Sequence, residues 1–134
     1  MKKIIYSKLN ARQQETYNFQ KVTAIFADYG YTTIKLSDDW MGADFIALNF
    51  NGKEFLRVQL KGRVTFERKY LNKDLFICFQ DKLNNNWYLY PHDKMLKKIL
   101  PIIKNSDSWK VHGSYSFPSM SVNLKKILMS YIIE

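Results

Sequence analysis

The 134-residue sequence predicts an α+β fold, and three features carry that expectation. A long segment with helical apolar spacing opens the chain, β-branched and aromatic runs separated by turn residues follow, and a second amphipathic segment closes it. At 46% apolar composition the chain suffices for one core and is short for two, so residues 1–134 are expected to form a single domain. No repeat, low-complexity tract or linker rich in Pro, Gly or Ser marks an internal boundary.

The elements follow in order. Asn18, Phe19, Val22, Ile25, Phe26 and Tyr29 recur at helical spacing, Asn10 can cap with Gln13, and Gly30 supplies a stop, which predicts a helix over 11–29. YTTIKL reads as a strand ending at the polar turn SDDWMG. DFIALNF and KEFLRVQL flank Asn51-Gly52, a strong short-range hairpin signal. GRVTFERKYLNK reads either as a loop or as an extra strand, and DLFICFQ and WYLY as strands joined by DKLNNN. Asp93 opens a helical pattern through Met95, Leu96 and Ile99 that Pro101 is expected to interrupt. NSDSWKVHGSYSFPSM reads as loop with a short strand at most. A final helix, roughly 121–133, is expected to turn Val122, Leu124, Ile127, Leu128 and Tyr131 inward.

The single cysteine, Cys78, lies in an apolar run, which excludes a disulfide framework and a Cys-based metal site. His92 and His112 lack companions at ligand spacing and are read as structural or capping residues. The basic start MKKIIY falls short of a secretory signal and no stretch approaches membrane-spanning length, so a cytoplasmic location is expected. Net charge is +9, of which residues 51–134 hold +8. A positive field of this kind favours polyanionic partners, nucleic acid first and acidic membrane second.

The hairpin carries the chemistry. A two-residue loop at Asn51-Gly52 sets Phe50 opposite Lys53 and therefore Asp44 opposite Gln59. Opposed side chains have Cβ atoms about 5 Å apart, within joint reach of one ion. Alternation places Phe55, Arg57, Gln59 and Lys61 on one face, with Leu56, Val58 and Leu60 turned the other way beside Phe45 and Ala47. Asp44, the Gln59 amide oxygen and the Leu60 carbonyl are hard oxygen donors of the kind that Mg²⁺ or Mn²⁺ takes, and Lys61 can orient a water or offset developing phosphate charge.

An acid in one strand, a turn, and a second strand ending in x-Lys resembles the PD-(D/E)XK nuclease superfamily, here as GAD with Asp44 and VQLK with Gln59 and Lys61. The likeness is to the branch with Gln in place of the second acid, which includes a group I intron homing endonuclease, and in part to Holliday-junction resolvases. It extends over about residues 11–100 and implies a restriction-endonuclease-like α/β (α+β) core, a mixed central sheet flanked by helices. It also implies DNA phosphodiester hydrolysis, a magnesium or manganese cofactor, and Glu15 of RQQETYNF as an auxiliary carboxylate. By helical periodicity Glu15 shares the stripe of Asn18, Phe19 and Val22, so it is expected to turn inward, partnered by metal or by Lys61.

Arg57 and Arg63 are candidate phosphate contacts, Lys53, Arg68 and Lys69 further nucleic-acid contacts, and Trp40 a substrate-side aromatic. Cutting both DNA strands with one site per chain calls for a homodimer or higher homo-oligomer. The neutral Gln59 motivates an alternative, a nucleic-acid-binding module without cleavage. A third reading is a basic accessory protein that meets an acidic protein partner.

Overall fold

A capping box fixes the start of the first helix, α1 (Ala11–Asp28), in the computed structural model, which describes residues 1–134. The Asn10 side chain accepts from the Gln13 N–H at 2.9 Å, and the Gln13 side chain accepts from the Asn10 N–H at 3.0 Å. Gly30, at φ +81°, lets the chain reverse into the sheet.

Six strands then form one mixed sheet. These are β1 (Tyr31–Trp40), β2 (Ala43–Asn49), β3 (Phe55–Lys61), β5 (Leu75–Asp81), β6 (Asn86–Pro91) and β8 (Ile132–Ile133), in the order β1-β2-β3-β5-β6-β8. All pairs are antiparallel except β3 with β5. The parallel step needs a crossover, which contains β4 (Thr65–Glu67) and a 3₁₀ turn over Arg68–Tyr70. β4 pairs with β7 (Ser114–Ser116) in a separate ribbon, so the ambiguous GRVTFERKY segment is in part a strand.

Alternation along the strands sends two apolar sets to opposite faces. On one, Phe45, Ala47, Val58, Cys78 and Trp87 pack beneath Val22 and Phe26 of α1. On the other, Leu75, Ile77, Phe79, Tyr88 and Tyr90 pack against α2 (His92–Ile103) and α3 (Val122–Leu128). A mixed central sheet flanked by helices is therefore the observed architecture, as expected.

Several boundaries differ from the expectation. The polar SDDWMG segment is not a long turn: β1 runs on to Trp40 through an irregularity after Lys35, and the reversal is Met41-Gly42 alone. Both residues have positive φ, 53° and 86°, which is the conformation of a tight primed hairpin. Asn51-Gly52, by contrast, lies in a longer loop closed by Asn49 N–H to Glu54 C=O at 2.9 Å. The Asn51 carboxamide accepts from the Lys53 and Glu54 N–H groups, and the Phe50 N–H donates to Gly30 C=O at 2.8 Å, so Phe50 is unavailable to Lys53. The loop grows by one residue on each side, and the register survives: Phe45 pairs with Val58 and Leu48 with Phe55.

Pro101 does not interrupt α2, which continues to Ile103 with Pro101 on its exposed side. The presumed loop 105–120 contains a helical turn over Ser108–His112. The last helix stops at Leu128 because the chain turns through Met129–Tyr131 to add β8 to the sheet, and Val122, expected inside, is exposed. No helix is long and apolar enough to cross a membrane.

Candidate active site

The tight Met41-Gly42 reversal delivers Asp44 to the second residue of β2, and β3 brings Gln59, Leu60 and Lys61 alongside it. Asp44 and Leu60 are in direct contact. The Leu60 N–H donates to Asp44 Oδ2 at 2.7 Å, a charge-assisted bond across the two strands. A Cβ at Gly42 would lie 3.1 Å from the Tyr70 ring, a tight approach, so the hairpin end that carries Asp44 is packed onto Tyr70.

Burial raises the Asp44 pKa, the dominant influence, and the negative charges of Glu15 and Asp39 raise it further. The Leu60 N–H and the Lys61 ammonium oppose that rise. A half-buried carboxylate in a net negative neighbourhood is a place where a cation lowers the energy. Oδ2 is held by Leu60, which leaves Oδ1 for such a partner. The Gln59 amide nitrogen lies 3.5 Å from Leu60 C=O, an arrangement that leaves the amide oxygen unused. Asp44 Oδ1, the Gln59 oxygen and the Leu60 carbonyl are the oxygens here that could hold a cation, and they are of the hard type that Mg²⁺ or Mn²⁺ takes. No three His, Cys, Asp or Glu side chains converge as an ion site, so a site built here depends on neutral oxygens as well as on Asp44.

Glu15 departs from its expected orientation. It is exposed in a polar cleft with Arg12, Thr16, Lys35, Leu36 and Ser37, and its charge reaches Asp44 through space without contact. The buried stripe of α1 is centred on Val22 and Phe26, and Glu15, nearer the helix start, lines the open cleft between α1 and β1 instead. Nor does Lys61 partner Glu15. Lys61 Nζ is 3.6 Å from Glu67 Oε1 and 5.4 Å from the centroid of the Tyr70 ring. Glu67 and Tyr70 were not legible as members of this cluster. Glu67 is the last residue of a three-residue strand whose partner, β7, lies far along the chain.

The presumed nucleic-acid contacts are distributed unevenly. Arg57 is half-buried, pairs with Asp74 at 3.5 Å, and has its guanidinium 5.2 and 5.1 Å from the Trp40 and Phe55 ring centroids. Trp40 itself is half-exposed on the face that carries Arg57. Arg63 and Lys53 are exposed. Lys69 pairs with Glu67 at 3.2 Å, and the Arg68 guanidinium covers the Trp109 ring at 5.0 Å, so both are engaged within the protein. Cys78 is buried, and burial pushes its thiol above the ordinary range. His92 is buried with structural bonds: its Nε2 accepts from the Glu67 N–H at 3.1 Å and its Nδ1 meets Asp93 Oδ1 at 2.9 Å.

Two solved structures are similar to this chain. One is a bacterial homing endonuclease, I-Ssp6803I, with a TM-score of 0.48 and 17% identity, matched over 63% of this chain and 67% of that one. The other is Hjc, a Holliday junction resolvase from the archaeal hyperthermophile Archaeoglobus fulgidus, with a TM-score of 0.43 and 11% identity over 57% of this chain and 76% of that one. No family model and no curated protein matches the sequence.

Proposed function

We propose that residues 1–134 form a single nuclease domain that hydrolyses DNA phosphodiester bonds with the help of a divalent cation. The observation that carries this reading is the 2.7 Å bond from the Leu60 N–H to Asp44, which ties the acid of one strand to the Gln59–Lys61 segment of the next. A bound Mg²⁺ or Mn²⁺ supplies charge stabilisation to the phosphodiester and acidifies its coordinated water.

The chain's own groups have separate tasks. Asp44, Gln59 and the Leu60 carbonyl would hold the cation, with Glu15 as an auxiliary carboxylate across the cleft. Lys61 orients the attacking water and places positive charge beside the non-bridging phosphate oxygens as negative charge accumulates on them. Arg57, Arg63 and Lys53 meet backbone phosphates, with Trp40 on the substrate side. Lys69 and Arg68 contribute to the positive field from their intramolecular pairs. One site per chain cuts one strand, so a double-strand break requires a homodimer or a larger homo-oligomer.

A nicking assay tests the reading. Plasmid, branched DNA and RNA are incubated with protein in Mg²⁺ or Mn²⁺ beside Asp44→Ala and Lys61→Ala. Metal-dependent nicking by the wild type and by neither variant is the expected result. The neutral Gln59 favours one other reading, a DNA-binding module that does not cut, and binding with a steep salt dependence but no nicking under any metal would establish it.

A further inference from the structure

Lys61 feels two acidic side chains, Asp44 and Glu67, and forms its ion pair with Glu67 alone, at 3.6 Å. Glu67 is a fixed anchor. Its side chain is only 14% exposed, its backbone N–H donates to His92 at 3.1 Å, and β4 pairs it with Ser114. Its second oxygen binds Lys69 at 3.2 Å, and the ammonium groups of Lys61 and Lys69 both lie 5.4 Å from the centroid of the buried Tyr70 ring. Lys61, in contrast, carries its charge on a flexible stem that can turn toward whichever anion is nearer.

Asp44, bonded to the neighbouring Leu60 N–H, is the other acid whose charge couples to Lys61. An ammonium docked on Asp44 competes for the carboxylate that a divalent cation needs. A carboxylate at position 59 would hold Lys61 from along its own strand, but Gln59 is neutral. We propose that Glu67 is a positioning residue that draws the Lys61 ammonium away from Asp44, keeping Asp44 open to a divalent cation and Lys61 available to the phosphodiester. The inference rests on the nuclease reading for the role of Lys61 but makes a separate claim about metal affinity.

The test uses the full chain without DNA first. Mn²⁺ is titrated calorimetrically into wild type, Glu67→Gln, Lys61→Met and the double variant, with thermal melts to confirm folding. Loss of the Glu67 charge is expected to weaken Mn²⁺ binding roughly 10- to 100-fold, the usual scale for removing a group that supports a ligand. Removing Lys61 as well restores the affinity to that of Lys61→Met, because no ammonium is left to dock on Asp44. In single-turnover cleavage Glu67→Gln lowers the rate with little change in DNA affinity, and Glu67→Asp, which keeps the charge if the Gln variant fails to fold, recovers most of both properties.

Mn²⁺ affinity within twofold of wild type in Glu67→Gln, or an affinity that stays low in the double variant, overturns the proposal. Normal metal linkage between Glu67 and Lys61 in a wild-type protein that cuts no DNA overturns the nuclease reading and leaves the positioning role standing.

Discussion

Phe45 and Asp44 are adjacent in sequence and occupy opposite environments. Phe45 is fully buried beneath α1, with edge-on contacts to Phe19 and Phe26 at 5.3 and 5.6 Å between ring centroids. Asp44 points to the other face of β2, where Gln59, Lys61 and Arg57 are all half-buried. Along β2 and β3 the same pleat therefore builds a closed hydrophobic layer and an incompletely covered polar one from alternate residues, whereas on β5 and β6 that second face is closed by α2 and α3. The closed face supplies rigidity. The polar face bears a desolvated carboxylate, an energetic cost that the Leu60 N–H and the Lys61 charge offset only in part.

If this division holds, substitutions on the two faces have separable consequences. Asp44→Ala and Lys61→Ala should each reduce nicking by about 100-fold or more, the scale on which electrostatic and proton-transfer groups act, while leaving the urea midpoint close to wild type. A collapse of stability in either variant would break the distinction. Phe45→Ala should show the reverse, a loss of about 3–5 kcal/mol in urea unfolding from a large cavity, with near-normal nicking per folded molecule.

Gly42→Ala lies where the two faces meet. It forces a side chain to φ +86° and against the Tyr70 and Leu75 side chains at 3.1 and 3.2 Å, so a destabilisation of about 1–3 kcal/mol is expected along with slower nicking as Asp44 is displaced. Equal melting temperatures for this variant and wild type would show that the hairpin end adapts freely. The smallest effect concerns pH. Burial lowers the His92 pKa below its ordinary 6.5, so the folded protein refuses a proton that the unfolded chain accepts. Stability from this source is present above about pH 6.5 and falls as pH drops toward the folded value. Urea midpoints from pH 7.5 to 5 should fall more steeply in wild type than in His92→Gln.

Much of the closed face and part of the polar one were readable from the sequence for a common reason: both follow from local signals. Asn10 and Gln13 announce a helix start through a contact within one turn. The alternation in FLRVQLK assigns Val58 and Gln59 to opposite faces once a strand is granted. A two-residue loop predicts Asp44 opposite Gln59, and the actual loop, longer by one residue in each strand, leaves that register unchanged. What escaped depends on distant pairing. Glu67 reaches Lys61 because Thr65–Glu67 pairs with Ser114–Ser116, and neither three-residue strand has a pattern long enough to declare itself. Arg57 is engaged by Asp74 and Trp40, which arrive from a crossover and from a strand extended past an irregularity. Helical periodicity likewise gives Glu15 an angle around α1 but not the open cleft beside β1 that leaves it exposed.

The short β8 strand occupies one margin of the six-stranded sheet by pairing Ile132 and Ile133 with Tyr88 and Trp87. β1 forms the opposite margin, and its ladder with β2 is irregular after Lys35. A neighbouring molecule that sought to lengthen the sheet would find a two-residue strand at one margin and a bent one at the other, so end-to-end fibre growth is discouraged without a dedicated protective segment.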